Sequence, residues 1–343
     1  MSIFLKKISI GLVILLGFNL ASADEPPVCN SVEVSKPLIH NRLAFGGGYQ
    51  KKTVKWSSAR TSTARKNKLV RAQSVILKSV FPAQVLETEG DVLLVERQGV
   101  GLAQPIRLSS GEQLQLHDVI QTYGQSFISI ELGDGVRMVL PSNSRVQLAQ
   151  VNNRLARIKL LSGRIENYVP KRSKAKSNVF EIQTPAVVLG VRGTYFRAEY
   201  HPDRQISTAN VLEGTVAVST LGACAAPLMI QAGQGVSVQT SIPEQATALL
   251  DGPVLIEKNK DAQINEQVQI QVEPVVGAVK YHAELSLDNA FLNKYRESFS
   301  TTNQLLFNDI PSGFYFVRLT AIDAKGIEGQ YTEHFFLRNH RVD

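Results

Sequence analysis

Between residues 85 and 240 apolar residues recur at every second position in short runs, and this period constrains the architecture more than any other feature. Ile128, Ile130 and Leu132 alternate with Ser129 and Glu131, the spacing of a strand with one buried and one opposite face. Turn signals break the runs roughly every ten residues. They are Gly-Asp-Gly at 133–135, Pro-Ser-Asn-Ser at 141–144, Val-Asn-Asn at 151–153, Ser-Gly at 162–163, Glu-Gly at 213–214 and Ala-Gly-Gln-Gly at 232–235. No long amphipathic helix fits between them, so the expected class is all-β, a roll or solenoid-like module over 85–240. After a linker at 241–250, alternation returns over 251–339 in QVQIQVEP, KYHAELSLD and GFYFVRLTAID. About seven short strands there would make a small β-sandwich. Without sandwich-core cysteines, a fibronectin-III-like unit fits better than an antibody-type one.

The N-terminal quarter breaks this pattern. Residues 1–23 place Lys6 and Lys7 before an apolar run that ends at Ala21-Ser22-Ala23, which reads as a cleaved secretory signal. Losing those two lysines lowers the formal charge from +7 to about +5. Residues 24–84 read as a basic, largely irregular arm. No Asp or Glu occurs between Val34 and Leu86, whereas eleven Lys and Arg residues do. An exported chain is not expected to meet nucleic acid. The arm is therefore expected to contact anionic lipid or polymer through Lys51, Lys52, Lys55, Trp56, Arg60, Arg65, Lys66 and Lys68. Its last part, LVRAQSVILKSVFPAQV, is more apolar and is expected to pack against the first module. No later segment has the length and apolarity of a membrane helix. Cys29 and Cys224 are the two cysteines; neither sits in a metal-ligand spacing, and in an oxidising compartment they can pair as one disulfide. No metal or cofactor is expected.

Within the module, the segment TPAVVLGVRGTYF at 184–196 sets Arg192 between apolar residues and glycines. Thr184-Pro185 should end or edge a strand, since proline cannot donate to a ladder. Gly190 and Gly193 permit close backbone approach or positive φ. Alternation places Phe196 in the core and Tyr195 at the surface. A buried arginine keeps its charge and requires carboxylates or carbonyls. Arg192 is therefore expected to lock a buried turn through Asp118, Asp134 or Glu213.

These blocks together resemble the FecR domain, named for the periplasmic regulator of ferric dicitrate uptake. The matching text runs from VLETEGDVLLV through SSGEQLQLHDVIQTYGQSFISIELGDGVRMVLPSNSRVQL, LLSGRIENYV, FEIQTPAVVLGVRGTYF and NVLEGTVAVS to IQAGQGVSV. Its most specific element is TP-x(5)-VRGT-x-F, with Thr184, Pro185, Gly190, Val191, Arg192, Gly193, Thr194 and Phe196 as signature positions. Sigma-regulating members of that family carry a cytoplasmic domain and a membrane helix before the module. A signal peptide in that place implies instead the layout of a secreted or periplasmic FecR-domain protein. The unit after 250 is similar to the sandwich that often follows such modules. Many relatives add a peptidoglycan-binding LysM module in front; no such motif is found here, so glycan binding is not carried over.

For function, the chain shows no HExxH, GxSxG, phosphate-binding glycine loop or cysteine cluster, and its histidines are scattered. The expectation is a non-enzymatic cell-envelope protein, periplasmic or secreted to the cell surface, that binds another envelope protein or a glycan. Two alternatives stay open. One is a periplasmic component of a FecR-like signal relay. The other is a carbohydrate-active enzyme, which would need two carboxylates about 5 to 9.5 Å apart in a cleft.

Overall fold

The computed structural model describes residues 83–338 apart from 152–154, 172–178, 222–224, 240–241, 244 and 257–266. For Asp134, Val179, Ile242 and Pro243 it describes the backbone only. The signal segment, the basic arm from Lys51 to Lys68, Cys29 and Cys224 lie outside the described residues.

Eighteen strands build the larger module. They are β1 (Ala83–Glu89), β2 (Val92–Arg97), β3 (Val100–Arg107), β4 (Gln113–Leu114), β5 (Val119–Thr122) and β6 (Phe127–Leu132). Next come β7 (Val136–Leu140), β8 (Arg145–Val151), β9 (Leu155–Tyr168), β10 (Val179–Gln183), β11 (Val187–Val191) and β12 (Tyr195–His201). The set closes with β13 (Ile206–Glu213), β14 (Thr215–Thr220), β15 (Leu228–Gln231), β16 (Gln234–Gln239), β17 (Ile242–Pro243) and β18 (Thr247–Ala248).

Their pairings form two halves that share β9. One half runs β4, β1, β6, β7, β9, β12, β13, β16. The other runs β3, β2, β5, β8, β9, β10, β11, β14, β15. The alternating residues of both halves fill one core, with Leu94, Ile130, Ile158, Phe180 and Phe196 among its members.

The crossover lies at Gly163, where β9 leaves Arg145–Val151 and joins Tyr195–His201. Its φ is +78°, and a Cβ there would sit 2.5 Å from the Asn143 carbonyl oxygen. Only glycine satisfies both conditions. Gly190 makes no such demand, because an added Cβ would meet nothing closer than the Ala217 carbonyl at 4.0 Å.

The smaller module contains β19 (Val268–Gln271), β20 (Ala278–Ser286), β21 (Lys294–Ser300), β22 (Gln304–Phe307), β23 (Gly313–Asp323) and β24 (Glu328–Arg338). A four-stranded sheet ordered β21, β20, β23, β24 faces the β19–β22 pair across a second core of Val272, Leu285, Leu305, Val317 and Leu319. An isolated bridge, Leu255 to Val272, stands beside these six strands. The expectation was about seven strands; the stretch from 257 to 266 lies outside the described residues.

The stretch expected as a linker is zipped to both modules. Thr247 and Ala248 pair with Gly235 and Gln234, the Leu249 amide donates to the Gly233 carbonyl, and the Gln330 amide donates to the Leu250 carbonyl. Backbone hydrogen bonds on either side leave this connection little room to hinge.

Gly163→Ala is expected to lower unfolding free energy by about 1–3 kcal/mol through forced positive φ and the Asn143 collision. Gly190→Ala should leave the urea midpoint close to wild type. Equal midpoints for the two variants would show that β9 crosses elsewhere.

Candidate functional site

Where the two modules meet, charged side chains from both are buried together. On the larger module, β9 presents Arg164 and Glu166 on one face, and β12 presents Tyr195 and Arg197 on the same side, since Arg197 pairs with Glu166 across the ladder. The four-stranded sheet answers with His282 and Glu284 on β20, Lys294 and Glu297 on β21, Arg318 on β23 and Glu328 on β24. Eight of these ten residues are buried and Arg164 and Tyr195 are half-buried; His282 is 1% exposed and Lys294 2%.

The Glu166 carboxylate is the centre of this network. Lys294 Nζ lies 2.5 Å from its Oε2 and also 2.5 Å from Glu284 Oε1. Arg318 donates to Glu166 Oε1 at 2.7 Å and to the Tyr195 hydroxyl at 2.7 Å, and that hydroxyl donates to Glu166. Arg197 approaches Glu166 at 3.9 Å and Glu328 at 3.8 Å. A second knot joins Arg164 to Glu297, and His282 lies between Glu328 at 2.8 Å and Glu297 at 3.2 Å. The His282 ring stacks on Phe299 with centroids 4.1 Å apart. Backbone contacts tie the seam further. Gln125 bonds both the amide and the carbonyl of Glu297, Ser129 donates to the Leu292 carbonyl, and Arg197 donates to the Gly329 carbonyl.

The charges cancel. Arg164, Arg197, Lys294 and Arg318 face Glu166, Glu284, Glu297 and Glu328, while Glu333 at the rim binds the outer side of Arg318 at 2.9 Å. Burial alone would raise the Glu166 carboxyl, but Lys294, Arg318 and Arg197 outweigh it and hold it well below the usual carboxylate range. Burial likewise opposes ionisation of Glu297 and Glu328. Arg164 and His282 overcome it at Glu297, and Arg197 and His282 at Glu328. At His282, burial and Arg164 lower the pKa, but Glu328, Glu284 and the bond to Glu297 raise it above the ordinary imidazole value.

His282, Glu284 and Glu297 bring potential ligand atoms within 4.8 Å of one another. A cation is already supplied there by Lys294 on Glu284 and Arg164 on Glu297, so the donor set does not call for a metal. The cavity inside the network has a volume of about 20 Å³, room for a water-sized group and no more. A larger cleft of about 580 Å³ opens beside it at the seam. Arg164, His201 and Arg204 lie on one side of it, and Lys280, Phe299 and Asp323 on the other.

The structure corrects the reading of Arg192. Its side chain is exposed and makes no ion pair among the described residues. Asp118 is buried, but it accepts from the amides of Gln115 at 2.9 Å and Gln98 at 3.3 Å and lies 3.7 Å from Arg97. Glu213 is exposed at the end of β13, and the Asp134 side chain lies outside the described residues. The arginine that is locked is Arg197, five residues later. Arg192 follows the last core residue of β11, Val191, and the backbone turns at Gly193 with φ +66°, which leaves the side chain outside.

The neighbouring signature residues shape that turn. Thr184 closes the bend between β10 and β11, its hydroxyl accepting from the Val187 amide at 3.1 Å and lying 2.8 Å from Ser207 Oγ. Pro185 follows it in the bend, outside both strands. A Cβ on Gly193 would meet Lys171 at 2.8 Å, and Thr194 donates to the Thr215 carbonyl at 3.0 Å. Phe196 is fully buried and meets Phe180 edge to face. Tyr195, expected at the surface, is half-buried in the seam.

Residues 118–217 match the FecR protein family. The matched segment therefore contains the seam residues of the larger module, from Gln125 to Arg197, while the answering charges from His282 to Glu333 lie beyond it. No curated protein matches the chain. Among solved structures, two crystal structures of a candidate anti-sigma factor from Parabacteroides distasonis ATCC 8503, at 2.50 and 1.65 Å resolution, align at 14% identity with a TM-score of 0.33. Each alignment covers 38% of this chain and 59% of that one, less than two thirds of that protein. The FN1–FN3 domains of chicken CNTN1 align at 7% identity with a TM-score of 0.23, over 76% of this chain and 90% of that one. No helix among the described residues is long and apolar enough to cross a membrane.

Arg197→Ala removes one of the cations shared by Glu166 and Glu328 together with the bond to the Gly329 carbonyl and is expected to cost about 1–3 kcal/mol in urea unfolding, whereas Arg192→Ala should leave the melting temperature unchanged. The seam also carries a pH signature. Glu166, Glu297 and Glu328 have lowered folded pKa values, so their stabilisation is complete above about pH 4.3 and is lost as pH falls from there through the folded values. His282 has a raised folded pKa, so its contribution is complete below about pH 6.5 and is lost as pH rises through the folded value. Urea midpoints measured against pH should fall on both sides, and His282→Gln should abolish the alkaline fall while keeping the acid one.

Proposed function

We propose that the protein is a non-enzymatic binding module of the cell envelope that takes part in a FecR-like signal relay. The charged seam carries this reading. The buried acids and bases are spent on one another, which suits fixing the orientation of two modules better than chemistry on a substrate. Buried ion networks contribute little net stability but penalise every other docking geometry, so the FecR segment and the sandwich present a single recognition surface. The family match to FecR supports the signalling part and a periplasmic or membrane-associated setting.

The partner is an envelope protein or glycan with an anionic group, received in the cleft at the seam. Lys280 and Arg204 line that cleft from the two modules, and neither forms an ion pair among the described residues. Lys280 is instead held over the Phe299 ring at 4.1 Å. The basic arm from Lys51 to Lys68 adds a sequence-independent contact with anionic lipid or polymer, screened by salt.

Crosslinking in whole cells, followed by identification of what is captured, tests the proposal. An envelope component should be captured by the wild type and lost in the Lys280→Glu/Arg204→Glu variant at unchanged melting temperature. Deleting residues 34–68 should weaken capture more at low salt than at high salt. Capture indifferent to the charge reversals would remove the cleft from the mechanism, and turnover of a substrate by purified protein would overturn the non-enzymatic reading.

A further inference from the structure

The sheet face that meets the FecR segment extends beyond what the segment covers. Register on β23 and β24 sets Thr320 opposite Tyr331, Arg318 opposite Glu333, Phe316 opposite Phe335 and Phe314 opposite Leu337. Directly opposed residues share a face, so these four rows form one surface. The first two rows enter the seam, through Thr320 to Glu328 and Arg318 to Glu166. The last two rows are apolar. Phe335 is 69% exposed and Phe314 46%, with Phe314 stacked on Phe335 at 5.5 Å and edge-on to Phe316 at 5.1 Å. Clustered exposed aromatics that continue a buried interface mark a surface that another segment covers.

The start of the described chain lies along the same row of the larger module. Successive pairings run Gln84 to Glu131, Glu131 to Arg137, Arg137 to Tyr168 and Tyr168 to Tyr195. Tyr195 in turn touches Arg318, next to the aromatic rows. At about 4.8 Å per strand, Gln84 stands roughly 19 Å from Tyr195. The residues just before it, Leu69 to Pro82, lie outside the described residues and can extend over about 45 Å, more than twice that distance. They are also the apolar part of the otherwise polar arm, with Leu69, Val70, Val75, Ile76, Leu77, Val80 and Phe81.

We propose that residues 69–81 of this chain dock on the aromatic rows Phe314–Phe316–Phe335 of the sandwich sheet, so that the N-terminal arm is stapled to the C-terminal module across the end of the FecR segment. The occupant is intramolecular because the chain enters β1 on the row that leads to the patch and its apolar stretch directly precedes that entry. Docking here is independent of any partner in the seam cleft.

Limited trypsin digestion of the signal-free chain, followed by mass spectrometry, tests this at Arg71 and Lys78, which lie within the docking segment. Cleavage at these two sites tracks the undocked population. Phe335→Asp should speed it by about tenfold or more while leaving the melting temperature near wild type, because Phe335 is a surface residue. The reciprocal variant Ile76→Asp should produce the same acceleration without touching the sandwich. Cleavage at Arg71 and Lys78 that is equally fast in wild type and both variants would overturn the proposal. So would a wild-type dimer in light scattering that Phe335→Asp dissolves with no change in cleavage, since the patch would then belong to a second copy.

Discussion

The charged seam between the two modules is centred on the Glu166 carboxylate, a buried anion that three cations share. Lys294 and Arg318 come from the sandwich and Arg197 from the FecR segment, so the anion cannot be satisfied by either module alone. Desolvating such a group costs several kcal/mol, and only a fixed set of partners at short range offsets that. Orientation is therefore specified more tightly than affinity. The zipped connection at 247–250 and the bonds from Gln125, Ser129 and Arg197 to sandwich backbone act in the same direction.

The FecR signature has a different task from the one its lone arginine suggests. Gly193 turns beside Lys171, Thr194 ties the turn to Thr215, and Phe196, the second residue of β12, enters the core. The consequence is that Tyr195 and Arg197 emerge on the opposite face, aimed at the sandwich. The motif thus sets the phase of β12, and phase decides which residues reach the seam. Arg192 sits at the outside of the bend, one residue before the turn that places everything after it.

Much of the fold was legible in the residues. Alternation in Ile128-Ser129-Ile130-Glu131-Leu132 marks a strand, and Ile128, Ile130 and Leu132 are all core residues. The same rule placed Tyr195, on the opposite face of its strand, at the surface, and there the second module intervenes. Ser129 donates to the Leu292 carbonyl, and Arg164, Glu166 and Arg197 are enclosed. The available signal was the charge density of GRIENY together with YFRAEY, two strands whose polar positions carry charges of both signs. Nothing local distinguishes such a face in water from the same face against a second module.

The sequence by itself determined the class of fold, the succession of two β units and the FecR resemblance, because period, turn chemistry and motif spacing are local properties of the chain. Tertiary structure alone decided which charges are buried, that Arg197 and not Arg192 is the locked arginine, and that the expected linker is paired on both sides. Those outcomes depend on which surfaces meet. Residues more than a hundred positions apart, such as Glu166 and Lys294, acquire their chemistry only when the fold removes the water between them.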